Sequence, residues 1–153
     1  MSKICKIKDI LIGDGIPKVC VSVVSDNHQA IITDIIRLMD YDIDIIELRI
    51  DYFKELLNQQ KLKELFKMIA TLEMKQALIL TYRSVKEGGL GELSHEEYIN
   101  LYKIALDSGA FDIYDVELSS GTNAIITLNN MIHEANHKVI MSSHDFTRTP
   151  SLD

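Results

Sequence analysis

Apolar residues along this chain recur with two alternating periods, and the alternation predicts strands and helices in strict succession. Runs rich in β-branched residues are typical of strands in the core of a sheet. Between the runs, apolar residues three and four positions apart, such as Ile31, Ile35 and Leu38, predict amphipathic helices. The predicted core strands are residues 18–24, 43–50, 77–82, 111–118 and 138–142, with one helix between each successive pair.

The two ends of the chain carry further signals. Residues 3–12 alternate loosely before the break at residues 13–17, which predicts a short strand pair ahead of the main fold. Near the other end, the apolar run 139–141 predicts a buried strand that leads into Ser142, Ser143 and His144. Residues 149–151 then have the pattern of a helix start.

Capping signals predict the ends of two helices. Asp26 with Gln29, and Ser94 with Glu97, have the three-residue spacing of a capping box. Gly109 is predicted to end the helix that Ser94 begins.

Strict alternation of strand and helix predicts an α/β protein with a parallel sheet and right-handed crossovers. Two architectures fit, an open doubly wound sheet and an incomplete (β/α)8 TIM barrel. Five core strands are too few to close such a barrel, so length alone favours the open sheet. However, the chain contains neither GxGxxG nor GxxxxGK[ST], which removes the usual reasons for an open nucleotide-binding sheet.

Composition narrows the class of protein. A chain of 153 residues with 46% hydrophobic residues suits a single globular domain, residues 1–153. The net charge of -7 argues against a nucleic-acid binder. The sequence contains no run of about 20 apolar residues for a membrane helix and no signal-peptide pattern. Cys5 and Cys20 are isolated, which predicts reduced thiols and a cytoplasmic protein.

Polar side chains collect at the C-terminal ends of the predicted strands, where active sites of parallel sheets form. The set is Ser22, Glu47, Arg49, Asp51, Arg83, Glu87, Asp115, Glu117, His144 and Asp145. Glu47 and Arg49 are two apart and share one side of their strand, whereas Leu48 faces the other. This charged pair fits either a buried structural ion pair or a clamp for an oxygen-rich substrate.

Three other polar residues each have two interpretations. Arg83 suits a fork for carboxylate or hydroxyl groups, or a plain surface arginine. Glu87 precedes Gly88 and Gly89, whose freedom fits a lid-like motion, but it also fits a solvated loop glutamate. His144 is either a strand cap or an acid–base group, because its side chain titrates near neutrality.

A metal site is not predicted. His144, Asp145, Glu47 and Glu117 are possible ligands, but the sequence contains no HxH, HExxH or closely spaced carboxylate set. The other histidines, His28, His95, His133 and His137, fall on predicted helices or their starts and are expected to be exposed.

Taken together, these motifs resemble those of type I 3-dehydroquinate dehydratase. The matching segments are residues 12–18, 21–22, 46–51 (IELRID), 81–89 (TYRSVKEGG), 115–118 (DVEL), 141–146 (MSSHDF) and 149–150. The resemblance implies a (β/α)8 barrel that dehydrates 3-dehydroquinate in the shikimate pathway without a metal or organic cofactor. In that family a lysine forms an imine with the substrate ketone, and a histidine removes the proton at C2 and protonates the departing hydroxyl.

The resemblance also implies roles for individual residues. His144 would be the proton shuttle, and Glu87 would pair with it and tune its basicity. The implied substrate-binding residues are Ser22, Glu47, Leu48, Arg49 and Arg83.

One departure from the family shapes the functional prediction. The family's imine lysine follows the SxHDF motif, and this sequence stops before that position. Lys138 lies at the wrong end of its strand, and Lys86 lies in the loop beside Glu87. We therefore predict the N-terminal portion of the enzyme, inactive alone. The alternative is a non-catalytic remnant or interaction fragment, completed by a C-terminal chain or by a homodimer that covers its open sheet edges.

Overall fold

A computed structural model describes residues 4–149 and consists of a strand pair followed by a parallel sheet with helices. The strands are Cys5–Ile7 (β1), Ile10–Ile12 (β2), Cys20–Val23 (β3), Ile45–Arg49 (β4), Ala77–Thr81 (β5), Ile113–Glu117 (β6) and Lys138–Ser142 (β7). The α-helices are His28–Met39 (α1), Gln59–Ala70 (α2), His95–Ser108 (α3) and Thr122–Glu134 (α4). Short 3-10 turns occupy Ile50–Tyr52, Val85–Glu87 and Leu118–Ser120.

The order of strands in the sheet decides between the two predicted architectures. Strands β3 to β7 lie in sequence order, and every adjacent pair is parallel. A doubly wound sheet reverses its strand order and carries helices on both faces. Here the order never reverses, and the helices cover one face, which we call the outer face. The sheet is therefore part of a (β/α)8 barrel wall, as predicted, with β3 and β7 at its edges.

Apolar side chains of alternate strand residues form the main core beneath the helices. Leu48, Leu80 and Val116 are fully buried there in one cluster with residues of all four helices. Phe66 of α2 meets Phe111 edge-to-face at a centroid distance of 4.9 Å, a pair that contributes about 1 kcal/mol beyond its buried area. The period of two along each strand leaves the intervening residues on the opposite, inner face.

The β1–β2 hairpin covers the N-terminal end of the inner face. Ile7 packs there in a second apolar cluster with Ile45, Ala77, Ile79 and Ile113. Lys8 at the hairpin turn donates to the Gln76 carbonyl at 2.7 Å and pairs with Asp112 at 3.1 Å. The C-terminal end of the same face stays clear of the hairpin, and this is where the polar residues lie.

Two of the three capping predictions are confirmed. The Ser94–Glu97 capping box is present at the start of α3, and Gly109 ends α3 with a φ of 65°. The Asp26–Gln29 box is wrong, because Asn27 is the residue that caps α1, accepting from the Ala30 amide at 3.0 Å.

Three other expectations differ from the structure. Strand β7 is not buried, since Ile140 and Met141 are 40% and 46% exposed on an edge strand that has a neighbour on one side. His95 and His133 are exposed as predicted, but His28 and His137 are half-buried. The predicted helix start at 149–151 extends beyond the described residues.

Candidate active site

The C-terminal end of the inner face holds a network of charged and hydroxyl side chains from five strands. Glu47 on β4 accepts a short hydrogen bond from Ser22 on β3 and one of 2.7 Å from Thr81 on β5. Both carboxylate oxygens are thus held by hydroxyls of the two flanking strands. The alternation of the strand places Glu47 and Arg49 together on this face, as predicted.

Arg83, just after β5, is the centre of this network. Its guanidinium lies 3.0 Å from Asp115, 3.0 Å from Glu117 and 3.5 Å from Glu87, and it donates to Ser142 at 2.9 Å. Only 6% of Arg83 is exposed, so it is not a surface arginine. Burial raises the pKa of Asp115, and the hydrogen bond from Ser142 and the charge of Arg83 offset only part of that rise.

His144 lies directly after β7 and binds Glu87 through two nitrogens. Its Nδ1 is 2.9 Å from Glu87 Oε2, and its backbone amide donates to the same oxygen at 3.1 Å. Because an ionised carboxylate only accepts hydrogen bonds, Nδ1 carries a hydrogen, and in the neutral imidazole this leaves the lone pair on Nε2. The His144 side chain is 39% exposed, so the imidazole is accessible to a ligand.

Glu87 itself is buried, which excludes the solvated-loop interpretation. Burial acts to raise its pKa, but hydrogen bonds from Ser119 and His144 and the charge of Arg83 outweigh that effect, so the pKa lies below its usual value. Glu87 is therefore an anion at neutral pH and holds the imidazole in one orientation.

The glycines in the loop around Glu87 allow close packing. A Cβ on Gly89 would lie 2.1 Å from the Arg83 carbonyl, and one on Gly91 would lie 2.2 Å from the Tyr82 ring. The amides of Gly89 and Gly91 also donate back to Ser84 and Arg83, at 2.8 and 3.0 Å. The segment 83–91 is thus a tightly hydrogen-bonded loop.

Arg49 reaches the same face with its orientation set by a buried neighbour. It makes two hydrogen bonds of 2.8 Å to the two carboxylate oxygens of Asp51, and its Cζ lies 5.1 Å from the Tyr52 ring centre. The sequence marked Asp51 only as one polar residue among several. Its role in the site was missed, although the R-x-D spacing at a strand end was a usable signal.

Two residues from the sequence-based set lie elsewhere. Leu48 is fully buried in the outer core, because it alternates with Glu47, so its side chain is not part of this face. Asp145 accepts hydrogen bonds from Thr147 and Arg148 in its own turn. Among residues 4–149 no group of three or more His, Cys, Asp or Glu side chains is placed to hold a metal ion.

A shallow cleft of about 550 Å³ lies beside His144, with Lys86, Ser143 and Phe146 also in its lining. Lys86 is exposed. Lys138 is the first residue of β7 and so lies at the opposite end of the sheet from His144, as predicted. Within the described part of the chain no helix is long and apolar enough to cross a membrane.

Known proteins are similar to this chain in sequence and in fold. The family model of type I 3-dehydroquinase matches residues 19–153. The chain belongs to the type I 3-dehydroquinase family. The 3-dehydroquinate dehydratase of Clostridioides difficile is 37% identical over 153 residues, covering 100% of this chain and 60% of the relative. That of Escherichia coli O6:K15:H31 is 34% identical over 151 residues, covering 99% and 60%.

Solved structures of the family agree with the fold. The type I 3-dehydroquinate dehydratase of Clostridium difficile, crystallised with covalently modified comenic acid, superposes with a TM-score of 0.93 at 37% identity, over 98% of this chain and 59% of that one. The Enterococcus faecalis 3-dehydroquinate dehydratase gives 0.88 at 32% identity, over 95% and 60%. The chain spans about 60% of the length of the curated relatives it matches.

Proposed function

We propose that this polar face is the acid–base half of a 3-dehydroquinate dehydratase active site, which converts 3-dehydroquinate to 3-dehydroshikimate and water in the shikimate pathway. The observation that carries the proposal is the pairing of His144 Nδ1 with the buried carboxylate of Glu87 at 2.9 Å. That pairing supplies a partly exposed histidine held in one orientation, on a face rich in groups that bind hydroxyls. The family relationship supplies the substrate.

In the proposed reaction a lysine amine condenses with the substrate ketone and releases water to form an iminium. His144 Nε2 then takes the proton from C2, and the electron pair moves into the iminium to give an enamine. The enamine electrons return to expel the C1 hydroxyl, which leaves as water with the proton that His144 had taken. Hydrolysis of the iminium consumes one water and frees the lysine, so the net product is one water and His144 is regenerated.

The imine lysine in this proposal comes from outside residues 4–149. The strand residues on the polar face are Ser22, Glu47, Arg49, Thr81, Asp115, Glu117 and Ser142, and none is a lysine. We therefore expect the 153-residue chain to form no imine by itself. Sodium borohydride in the presence of 3-dehydroquinate, followed by intact mass measurement, tests this expectation. A reduced substrate adduct on the chain would contradict it.

Substrate binding is proposed for the groups beside His144. Ser22, Glu47 and Arg49 offer donors and acceptors for the substrate's hydroxyl and carboxylate oxygens, and Arg83 contributes through the same network. Leu48 is left out of the proposal because its side chain lies in the core.

Nitrogen NMR of the chain tests the acid–base half directly. We expect the ¹⁵N spectrum of His144 to show hydrogen on Nδ1, and 3-dehydroquinate to shift its Nε2 resonance. His133 is the matched control, because it is an exposed histidine on α4. A hydrogen on Nε2 in the free chain, or a substrate titration that moves His133 as much as His144, would contradict the proposal.

The open sheet edges support a second proposal, that the site works with complementary strands. Val19 and Val24 beside β3 are 50% and 49% exposed, and Ile140 and Met141 on β7 are also exposed. Within residues 4–149 these edges have no further strand beside them. Edges flanked by apolar side chains favour pairing with further polypeptide, from a complementary C-terminal segment or a second copy. Light scattering of the purified chain at micromolar concentration tests this, since a stable monomer without aggregation would contradict it.

We also propose a cytoplasmic location. Cys5 and Cys20 are both free thiols, and reduced cysteines are typical of proteins in a reducing compartment.

A further inference from the structure

Asp51 lies in the 3-10 turn Ile50–Tyr52 that follows β4, and its side chain is completely buried. Oδ1 accepts from Arg49 Nε at 2.8 Å and from the Arg83 backbone amide at 3.3 Å. Oδ2 accepts from Arg49 Nη2 at 2.8 Å and from the Leu90 backbone amide at 3.2 Å. Each oxygen therefore accepts two hydrogen bonds, which is the usual capacity of a carboxylate.

The two hydrogen bonds to Arg49 fix the plane of its guanidinium. A bidentate pair between arginine and a carboxylate is strong and directional, so it selects one rotamer of a long side chain. Nε and one hydrogen of Nη2 point at Asp51, which leaves Nη1 and the other Nη2 hydrogen directed away from it. Tyr52 lies against the guanidinium at 5.1 Å and supports the same orientation.

The two backbone hydrogen bonds hold the loop that carries Glu87. Arg83 begins this loop after β5, and Leu90 lies near its other end. Asp51 ties both ends of the loop to the turn after β4. The Arg83 side chain and the Ser84 amide also tie the start of the loop to β6. Glu87 lies between these two anchor points, so the position of the His144 imidazole depends on a loop that Asp51 holds in place.

We propose that Asp51 is a positioning residue. Its one buried carboxylate sets the orientation of the Arg49 guanidinium and holds the loop 83–91, which carries Glu87, against the sheet. The proposal rests on the function proposed above for Arg49, Glu87 and His144. Asp51 does not touch the reacting atoms, since its oxygens are occupied by Arg49 and two backbone amides. It links the part of the site that binds substrate oxygens to the part that moves protons.

A purely structural Arg49–Asp51 ion pair would stabilise the fold without fixing the Arg49 guanidinium and the Glu87 loop. Hydrogen exchange distinguishes such a pair from a positioning residue. In the unmodified chain at neutral pH, we expect Arg49 Nε–H to exchange slowly, because it is hydrogen-bonded and half-buried. Exchange as fast as that of a free arginine would overturn the proposal without any variant.

Asp51→Asn keeps the size of the side chain and removes the charge and one acceptor. We expect Arg49 Nε–H and the Arg83 and Leu90 amides to exchange about tenfold faster or more, while amides in the centres of β5 and β6 keep their rates. We also expect the hydrogen on His144 Nδ1 to become less protected. Asp26→Asn is the matched control, because Asp26 forms an ion pair with Lys54 near the surface.

Substrate titration completes the test. Asp51→Asn is expected to weaken binding of 3-dehydroquinate about tenfold or more relative to Asp26→Asn. Unchanged exchange at Arg49, Arg83 and Leu90, or a uniform acceleration over the whole chain, would overturn the positioning role. If the unmodified chain failed to bind 3-dehydroquinate, the proposed function would fail, and the exchange rates would still decide the role of Asp51.

Discussion

At the N-terminal end of the inner face, Ile79 and Ile113 lie side by side beneath the β1–β2 hairpin. Two residues further along the same strands, Thr81 and Asp115 lie side by side among buried charges. The backbone pairing is the same in both layers. Strand pairing therefore forms the inner face as a whole, and the types of side chain divide it into an apolar layer beneath the hairpin and a polar layer at its C-terminal end.

The two layers relate to stability in opposite ways. Burial of the apolar layer stabilises the fold by about 25 cal/mol for each Å² of apolar surface removed from water. Burial of the polar layer costs free energy, and its charges persist because Arg83 and hydroxyl groups surround them. The candidate active site lies in the polar layer, and burial of the apolar layer supplies the stability that offsets the cost of burying its charges.

The largest expected effect comes from removing the cation at the centre of the polar layer. Arg83→Met would leave Glu87, Asp115 and Glu117 without their shared partner, and we expect a loss of about 3–5 kcal/mol in unfolding free energy at pH 7. Urea denaturation measures it. Arg37→Met, at an exposed position of α1, is the control. A loss near that of the control would show that the polar layer does not depend on Arg83.

The apolar layer is tested by creating a cavity. Ile113→Ala removes a side chain that is 2% exposed, and we expect a loss of about 2–4 kcal/mol in urea denaturation. Ile126→Ala removes the same atoms from a position on α4 that is 54% exposed, and it should cost little. Equal losses in the two variants would mean that the hairpin does not seal this layer.

The polar layer is also expected to respond to pH, in a direction set by Glu87. Because its pKa is lowered on folding, ionised Glu87 contributes stability above its unfolded pKa near 4.5, and this is lost as the pH falls through the lower folded pKa. Glu87→Gln should cost about 2 kcal/mol at pH 7.

Denaturation at several pH values measures this effect. The cost of Glu87→Gln should shrink steadily as the pH falls below 4.5. The raised pKa of Asp115 acts with the opposite sign, but it is present in both proteins and largely cancels in the difference. Glu92→Gln, at an exposed loop position, is the control. A cost that does not change with pH would contradict the anionic role of Glu87.

The smallest expected effect comes from the contact between Gly88 in the loop 83–91 and Phe146 in the segment after β7. Gly88 has a φ of 82°, and a Cβ there would lie 2.5 Å from the Phe146 ring. Gly88→Ala should cost about 1 kcal/mol from backbone strain and displaced packing. Gly15 also has a positive φ, with nothing within 4 Å of its Cβ position, so Gly15→Ala measures strain alone. The His144 Nδ1 signal should change only in Gly88→Ala.

Local patterns predicted the elements well, because strand and helix periods are properties of neighbouring residues. The alternation of Glu47, Leu48 and Arg49 also predicted correctly which of the three would share a face. The incorrect box at Asp26 shows the limit of local reasoning. Asp26 instead pairs with Lys54, a residue from beyond the next strand, and Asn27 takes over the cap.

The candidate site was predicted less completely than the fold. Most of its members were identified at the strand ends, but Thr81, Ser142, the burial of Arg83 and Glu87, and the role of Asp51 were not. These depend on contacts between residues more than 30 positions apart, such as Asp51 with Leu90 and Arg83 with Asp115. The exposure of β7 was also missed, since an apolar run looks the same in a central strand and in an edge strand.

The sequence by itself determined the succession of strands and helices, the single polar face at their C-terminal ends, and the likeness to a family of barrels. These follow from side-chain periodicity and from motifs, both of which are local. Only the tertiary structure decided that the strands lie in sequence order, that the glycines of the 83–91 loop serve close packing, and that one buried carboxylate holds both Arg49 and that loop. The physical reason is that strand order, burial and hydrogen-bond partners arise from residues distant in the chain, which no local pattern records.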